Sequence, residues 1–99
     1  MAFERLVGLD VGDDAEYQRY RDGMMPILAR YGGLFRYDFV VAKTLKSETS
    51  TPINRVFVLS FPDETSHDAF FTDPAYLEVR DAHFSPSVRG TTLIARFHR

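Results

Sequence analysis

Arg55-Val56-Phe57-Val58-Leu59-Ser60-Phe61-Pro62-Asp63-Glu64 is the stretch on which the fold turns. Its first seven residues are apolar on both faces, as a strand in the middle of a sheet must be. Pro62 then ends the strand, and the Asp63 carboxylate is placed to cap a helix that follows. A central strand running straight into a capped helix sets the frame, and the rest of the chain is read outward from it.

Upstream, Lys46 to Asn54 is polar, rich in Ser and Thr and carries Pro52, which predicts a wide hairpin loop. Before it, Leu34 to Leu45 sets Phe35, Tyr37, Phe39 and Val41 against Arg36 and Asp38, the alternation of a long strand. Gly32-Gly33 closes an earlier helix by supplying the left-handed conformation that helix ends favour. That helix opens at Asp13-Asp14-Ala15-Glu16, a capping-box variant with Asp in place of Ser or Thr. Tyr17, Tyr20, Met24, Ile27 or Leu28, and Tyr31 recur at spacings of three and four and mark its buried face. Pro26 removes one of its backbone bonds and predicts a kink. Ahead of it, Met1 to Val11 places Phe3, Val7, Leu9 and Val11 on one side of a strand ended by Gly12.

Downstream, Asp73-Pro74 interrupts the second helix and restarts it, Asp73 as cap and Pro74 at the first helical position. The restarted piece is predicted to end near His83. Phe84 to Gly90 then reads as a loop and Thr91 to His98 as the last strand. The order is βαββαβ, an α+β arrangement of the ferredoxin-like kind. Right-handed crossovers put both helices on one face of a four-stranded antiparallel sheet, with strand order 4-1-3-2.

Composition bounds the function. The 99 residues and 11.4 kDa suffice for one domain, 1–99, and not for two. Hydrophobic residues at 44% and charged residues at 26% are those of a folded globular chain. A net charge of -2 argues against nucleic acid or an anionic membrane as partner, since both require a basic excess. The absence of cysteine removes disulfides, thiolate metal sites and thiol nucleophiles. No signal-like or membrane-length apolar run occurs, so a soluble, cytoplasmic protein is expected. Phosphate-loop, dinucleotide and nucleophile-elbow motifs are missing. The third strand loosely echoes an RNA-recognition signature, but Val56 stands where Gly belongs and only Phe57 of the two stacking positions is aromatic.

Several residues carry a resemblance. Tyr17 and Tyr20, a proline in the first helix, Tyr31-Gly32-Gly33, Phe61-Pro62, Ala69-Phe70-Phe71, Asp73-Pro74-Ala75-Tyr76 and Arg80 resemble a family of short uncharacterised bacterial proteins, a domain of unknown function. That family belongs to the dimeric α/β-barrel, ferredoxin-like superfamily. Its most specific stretch here is Phe70 to Arg80, with Phe70-Phe71 where the family usually has a Trp- or Tyr-containing pair. The resemblance implies a homodimer whose sheets face each other. It implies no single activity, because the superfamily includes cofactor-independent monooxygenases, isomerases, haem enzymes and ligand sensors.

Strand parity gives two faces. Odd positions Val7, Leu9, Val11, Phe35, Phe39, Val41, Phe57, Leu59, Phe61, Leu93 and Phe97 form an apolar floor for the helices. Phe35, Phe39, Phe57, Leu59 and Phe97 are expected to be among the most buried. Even positions mix Leu6, Val40, Val56, Val58 and Ile94 with Glu4, Asp10, Arg36, Asp38, Ser60, Thr92, Arg96 and His98. A face half aliphatic and half ionisable suits a dimer interior with a lined cavity, and a wet outer face is the alternative.

Candidate site residues follow from that face. The strand order brings Glu4 near His98, about 4.8 Å apart, with the ingredients of a proton-transfer pair. His98 lies next to the last residue and is equally open to being a frayed, exposed side chain. Ser60 and Arg36 continue the row, Arg36 roughly 14 Å from His98 across three strand spacings. Arg36 and Arg96 could clamp a carboxylate or phosphate, or form ion pairs with Asp38, Asp10 or Glu4. Tyr76 and Arg80, at i and i+4, take a role at a pocket rim or dimer contact from the resemblance. Packing on the sheet and reaching for water are the plainer roles open to them. His67 and His83 lack metal-ligand spacing and are expected at the surface. The combined expectation is a homodimer binding a small molecule, with no cofactor or metal. Its activity would be that of an isomerase, lyase or monooxygenase on a small organic acid or aromatic compound. A non-catalytic sensing or accessory dimer is the alternative.

Overall fold

The structure is a computed structural model describing residues 1–99. β1 (Phe3–Val11), α1 (Asp14–Arg30), β2 (Leu34–Val40), β3 (Arg55–Phe61), α2 (Glu64–Thr72), α3 (Pro74–Val79) and β4 (Val88–His98) follow in order. The antiparallel sheet runs β2-β3-β1-β4, which is the expected order read from the other edge. No helix is long and apolar enough to cross a membrane.

Local chemistry explains the element ends. The Asp13 carboxylate accepts from the Glu16 backbone N–H, and Asp63 accepts from that of Ser66. Asp73 accepts from Ala75 N–H and so opens α3 directly after α2 closes. α1 runs unbroken through Pro26 to Arg30, and Gly32 just past its end has a φ of +70° that no side chain but hydrogen accepts cheaply.

Three boundaries differ from the sequence reading. β2 stops at Val40, and residues 41–54 form a loop that folds back over the sheet. Asn54 anchors it, its side chain bonding both the N–H and the carbonyl of Val11. Ile53 lies on Gly8 so closely that an added Cβ would meet its Cδ1 at 2.9 Å. The helical path also continues past His83. Arg80–Phe84 makes a π-helical turn, with Ser85 N–H bonding the Arg80 carbonyl, and Ser85–Ser87 adds a last helical turn. β4 accordingly starts at Val88 instead of Thr91.

The core lies between α1, α2, α3 and the helix-side face of the sheet. Tyr17, Tyr20, Met24, Ile27 and Leu28 come from α1, Phe70 from α2 and Tyr76 from α3. They pack against Val7, Leu9, Val11, Phe57, Leu59 and Phe61.

Parity holds for β1 and β3 but changes along β2 and β4, where register shifts occur at Phe35/Tyr37 and at Leu6/Val7. Each shift inserts a residue and turns the following side chains over. Phe39 pairs with Val56, and Phe97 with Glu4, so both lie on the outer face, 54% and 39% exposed. They are therefore not core residues. Asp38, Arg96 and His98 move the other way, to the helix side, opposite Phe57, Arg5 and Phe3.

Candidate functional site between sheet and helices

The outer face holds a closed ion cluster. Glu4 is 0% exposed, with Arg36 Nη1 at 2.8 Å and Arg99 Nε at 3.0 Å on its two carboxylate oxygens. Arg36 sits at the β2 register shift and spans β3 to reach β1. Burial pushes the Glu4 carboxyl up, but hydrogen bonds from Ser60, Arg99 and Arg36 outweigh it and hold it below the usual carboxylate range. The Glu4–His98 pair does not form. His98 faces Phe3, ring centroids 5.1 Å apart, and Arg99 takes the place expected for it. A carboxylate whose oxygens are both engaged by cations is poorly placed to move a proton.

The other predicted residues separate. Asp38 bonds Arg21 on α1 at 2.8 Å, Arg96 reaches Glu64 at 3.5 Å, and Arg80 pairs with Asp81 at the surface. Of the eight candidates, only Tyr76 faces the helix-side cavity.

That cavity, about 60 Å³, is lined by Arg5, Val7, Leu9, Tyr20, Phe57, Leu59, Phe71, Tyr76, Phe84 and Thr91. The Asp73 cap aims α3 so that Tyr76 points inward, and the π-helical turn brings Phe84 to the wall. The Tyr20 and Tyr76 hydroxyls lie 3.0 Å apart. Each phenol has one proton, so a pair bonded only to each other leaves one O–H free to donate. Burial raises both, Tyr20 well above the ordinary phenol range with Tyr76 adding to the shift, so both stay protonated.

Arg5 is the charged member of this wall. Its guanidinium lies 4.6 Å from the Phe71 ring centre and its Nη1 is 3.2 Å from His67 Nε2. Its Nε is buried without a partner, and none of the ion pairs involves Arg5. Burial and the neighbouring Arg96 pull its pKa below the ordinary guanidinium value, against the opposing effect of Tyr76 and Tyr20. It remains a cation at any pH the fold survives. His67 is likewise not a surface residue. It is 5% exposed, among Phe3, Phe61 and Phe71. His83 is half-buried and bonds Glu16.

A larger depression, about 520 Å³, lies open under loop 41–54, but Asp10 and Arg89 satisfy each other there in a two-bond pair. The smaller cavity differs from it in holding a partly buried cation, Arg5, without a counter-charge. No group of His, Asp and Glu suited to a metal ion occurs.

Sheet order and the placing of the helices on one face define a ferredoxin-like α+β protein. Residues 6–97 match the family described as domain of unknown function DUF1330, and the chain belongs to it. No match occurs among curated proteins. The fold is similar to that of a protein of unknown function from Rhodopseudomonas palustris, with TM-score 0.80 and 18% identity over 99% of this chain and 82% of that one. A dimeric ferredoxin-like protein of unknown function from Jannaschia gives 0.60 at 15%, covering 100% of both chains. SnoaB, a cofactor-independent oxygenase from Streptomyces nogalater, gives 0.61 at 15%, covering 99% of this chain and 90% of that one. At such identities the likeness concerns the fold alone.

Proposed function

We propose that this protein is a homodimer that binds a small organic acid with a planar, aromatic body in the cavity between sheet and helices. The observation that carries this reading is Arg5, a largely buried cation with no carboxylate partner and an unbonded Nε beside apolar walls. Such a charge is costly to bury alone, and an anionic ligand group supplies what is missing. Phe71, Phe57 and Phe84 offer flat apolar surface, and the Tyr20–Tyr76 pair offers one O–H to a second oxygen of the ligand. A cavity of about 60 Å³ is smaller than such a ligand, so binding requires its lining side chains to move apart.

Turnover without a cofactor, as an isomerase, lyase or monooxygenase, rests on the tyrosine pair. A neutral phenol held in a dry site stabilises negative charge developing on a substrate oxygen. The non-catalytic alternative, ligand sensing or an accessory role, draws on a different observation: no carboxylate or imidazole lines the cavity to serve as a base.

Thermal denaturation with benzoate, 4-hydroxybenzoate and phenylpyruvate tests the site. A ligand at a hundred times its Kd stabilises by about 2.7 kcal/mol, a rise of roughly 10 °C or more in Tm for a chain this size. Arg5→Met should abolish the rise, and benzamide should produce none. If no acid stabilises the wild-type protein, the reading fails.

A further inference from the structure

The nitrogens of His67 face different partners, and the partners decide what each nitrogen carries. Nδ1 lies 2.8 Å from an Asp68 carboxylate oxygen, which accepts, so Nδ1 bears the proton. Nε2 lies 3.2 Å from Arg5 Nη1, which can only donate, so Nε2 presents its lone pair. One state satisfies both, the neutral ring protonated at Nδ1. Phe3, Phe61 and Phe71 surround the imidazole with ring centroids 4.9, 5.3 and 4.9 Å away. Phe71 also lies under the Arg5 guanidinium, so one ring fixes both groups.

We propose that His67, oriented by Asp68, is the positioning residue for Arg5, and that a proton on His67 Nε2 releases the guanidinium from its place at the cavity wall. Protonation removes the only acceptor that Arg5 has and sets a second cation against it. The charged groups around His67 act in opposite senses. Asp68 favours the proton, while Arg5 from β1 and Arg96 from β4 oppose it. Glu64, paired with Arg96 at 3.5 Å, softens that opposition. Burial, with the two arginines, holds His67 below the usual imidazole range, so the acceptor is intact at neutral pH and is lost only as pH falls through that lowered value.

The consequence for ligands rests on the cavity reading above, but the coupling itself needs no ligand. NMR titration of the His67 ring should show its pKa rise in Arg5→Met. The Arg5 Nε–H signal should shift in His67→Phe and return in His67→Gln, whose carbonyl oxygen replaces the Nε2 lone pair. An Arg5 signal indifferent to His67→Phe, or a His67 pKa unmoved by Arg5→Met, overturns the proposal. With benzoate as probe, wild-type affinity should fall by up to about tenfold per pH unit below the His67 pKa. His67→Gln should bind with no such step. Binding that is independent of pH while His67 titrates also overturns the proposal. Intact coupling with no binding of benzoate at any pH overturns the ligand assignment and leaves the positioning role in place.

Discussion

Arg5 shows how the residue on which the proposed site rests hides in plain view. It occupies the row of β1 that otherwise carries Phe3, Val7, Leu9 and Val11, a cation in the parity of the core. A charged residue in that row is the signal the sequence offers for it. Glu4, by contrast, stood out in the sequence as a carboxylate on a partly aliphatic face, yet its partners are structural. Its lowered pKa has a definite sign for stability. The folded state favours the ionised form, so the contribution is complete above the unfolded value of about 4.3. It is lost as pH falls through the lower folded value. Glu4→Gln should therefore lower Tm at pH 7, with the gap to wild type closing as pH approaches 3. A gap constant from pH 7 to 3 would exclude ionic stabilisation by Glu4.

At the level of elements, helix caps, strand order and the buried face of α1 were all legible, because each is written in short-range residue chemistry. Asp13, Asp63 and Asp73 cap where expected, and Tyr17, Tyr20 and Met24 are buried. The register shifts in β2 and β4 were not legible. An extra residue in a strand leaves the alternation of side-chain types almost unchanged, while it reverses the face of everything beyond it. Phe39, Phe97 and His98 were misplaced for this one reason. Phe57→Ala should cost about 3–5 kcal/mol in chemical denaturation, as a buried aromatic does. Phe39→Ala should cost less than about 0.5 kcal/mol in the monomer, in keeping with its exposed place. Equal losses would contradict the register.

For the molecule as a whole, the register shifts enrich the outer face. Tyr37, Phe39 and Phe97 join Leu34, Leu6, Val56 and Val58 there, and Leu34, Tyr37, Phe39 and Phe97 are exposed. The proposed dimer covers this face with a second copy. Its interior would be built around the Glu4 clusters, with loop 41–54 at one end. Sedimentation equilibrium at micromolar concentration should give twice 11.4 kDa for the wild-type protein. Val58→Asp should shift it to the monomer or to aggregates, and Lys46→Asp should leave it dimeric. A wild-type mass of 11.4 kDa would rule the dimer out.

The position of β1 has a further consequence, for the chain while it is being made. β1 is the first strand synthesised, yet it lies between β3 and β4, and its second edge is covered only by Val88–His98. Roughly 80 residues of translation separate the two, on the order of 4–15 s at ordinary elongation rates. Through that interval the nascent chain carries a bare strand edge with a row of large apolar side chains, the feature that recruits chaperones and seeds aggregation. Expression yield of this protein should therefore depend on how quickly the codons between β1 and the end of β4 are read.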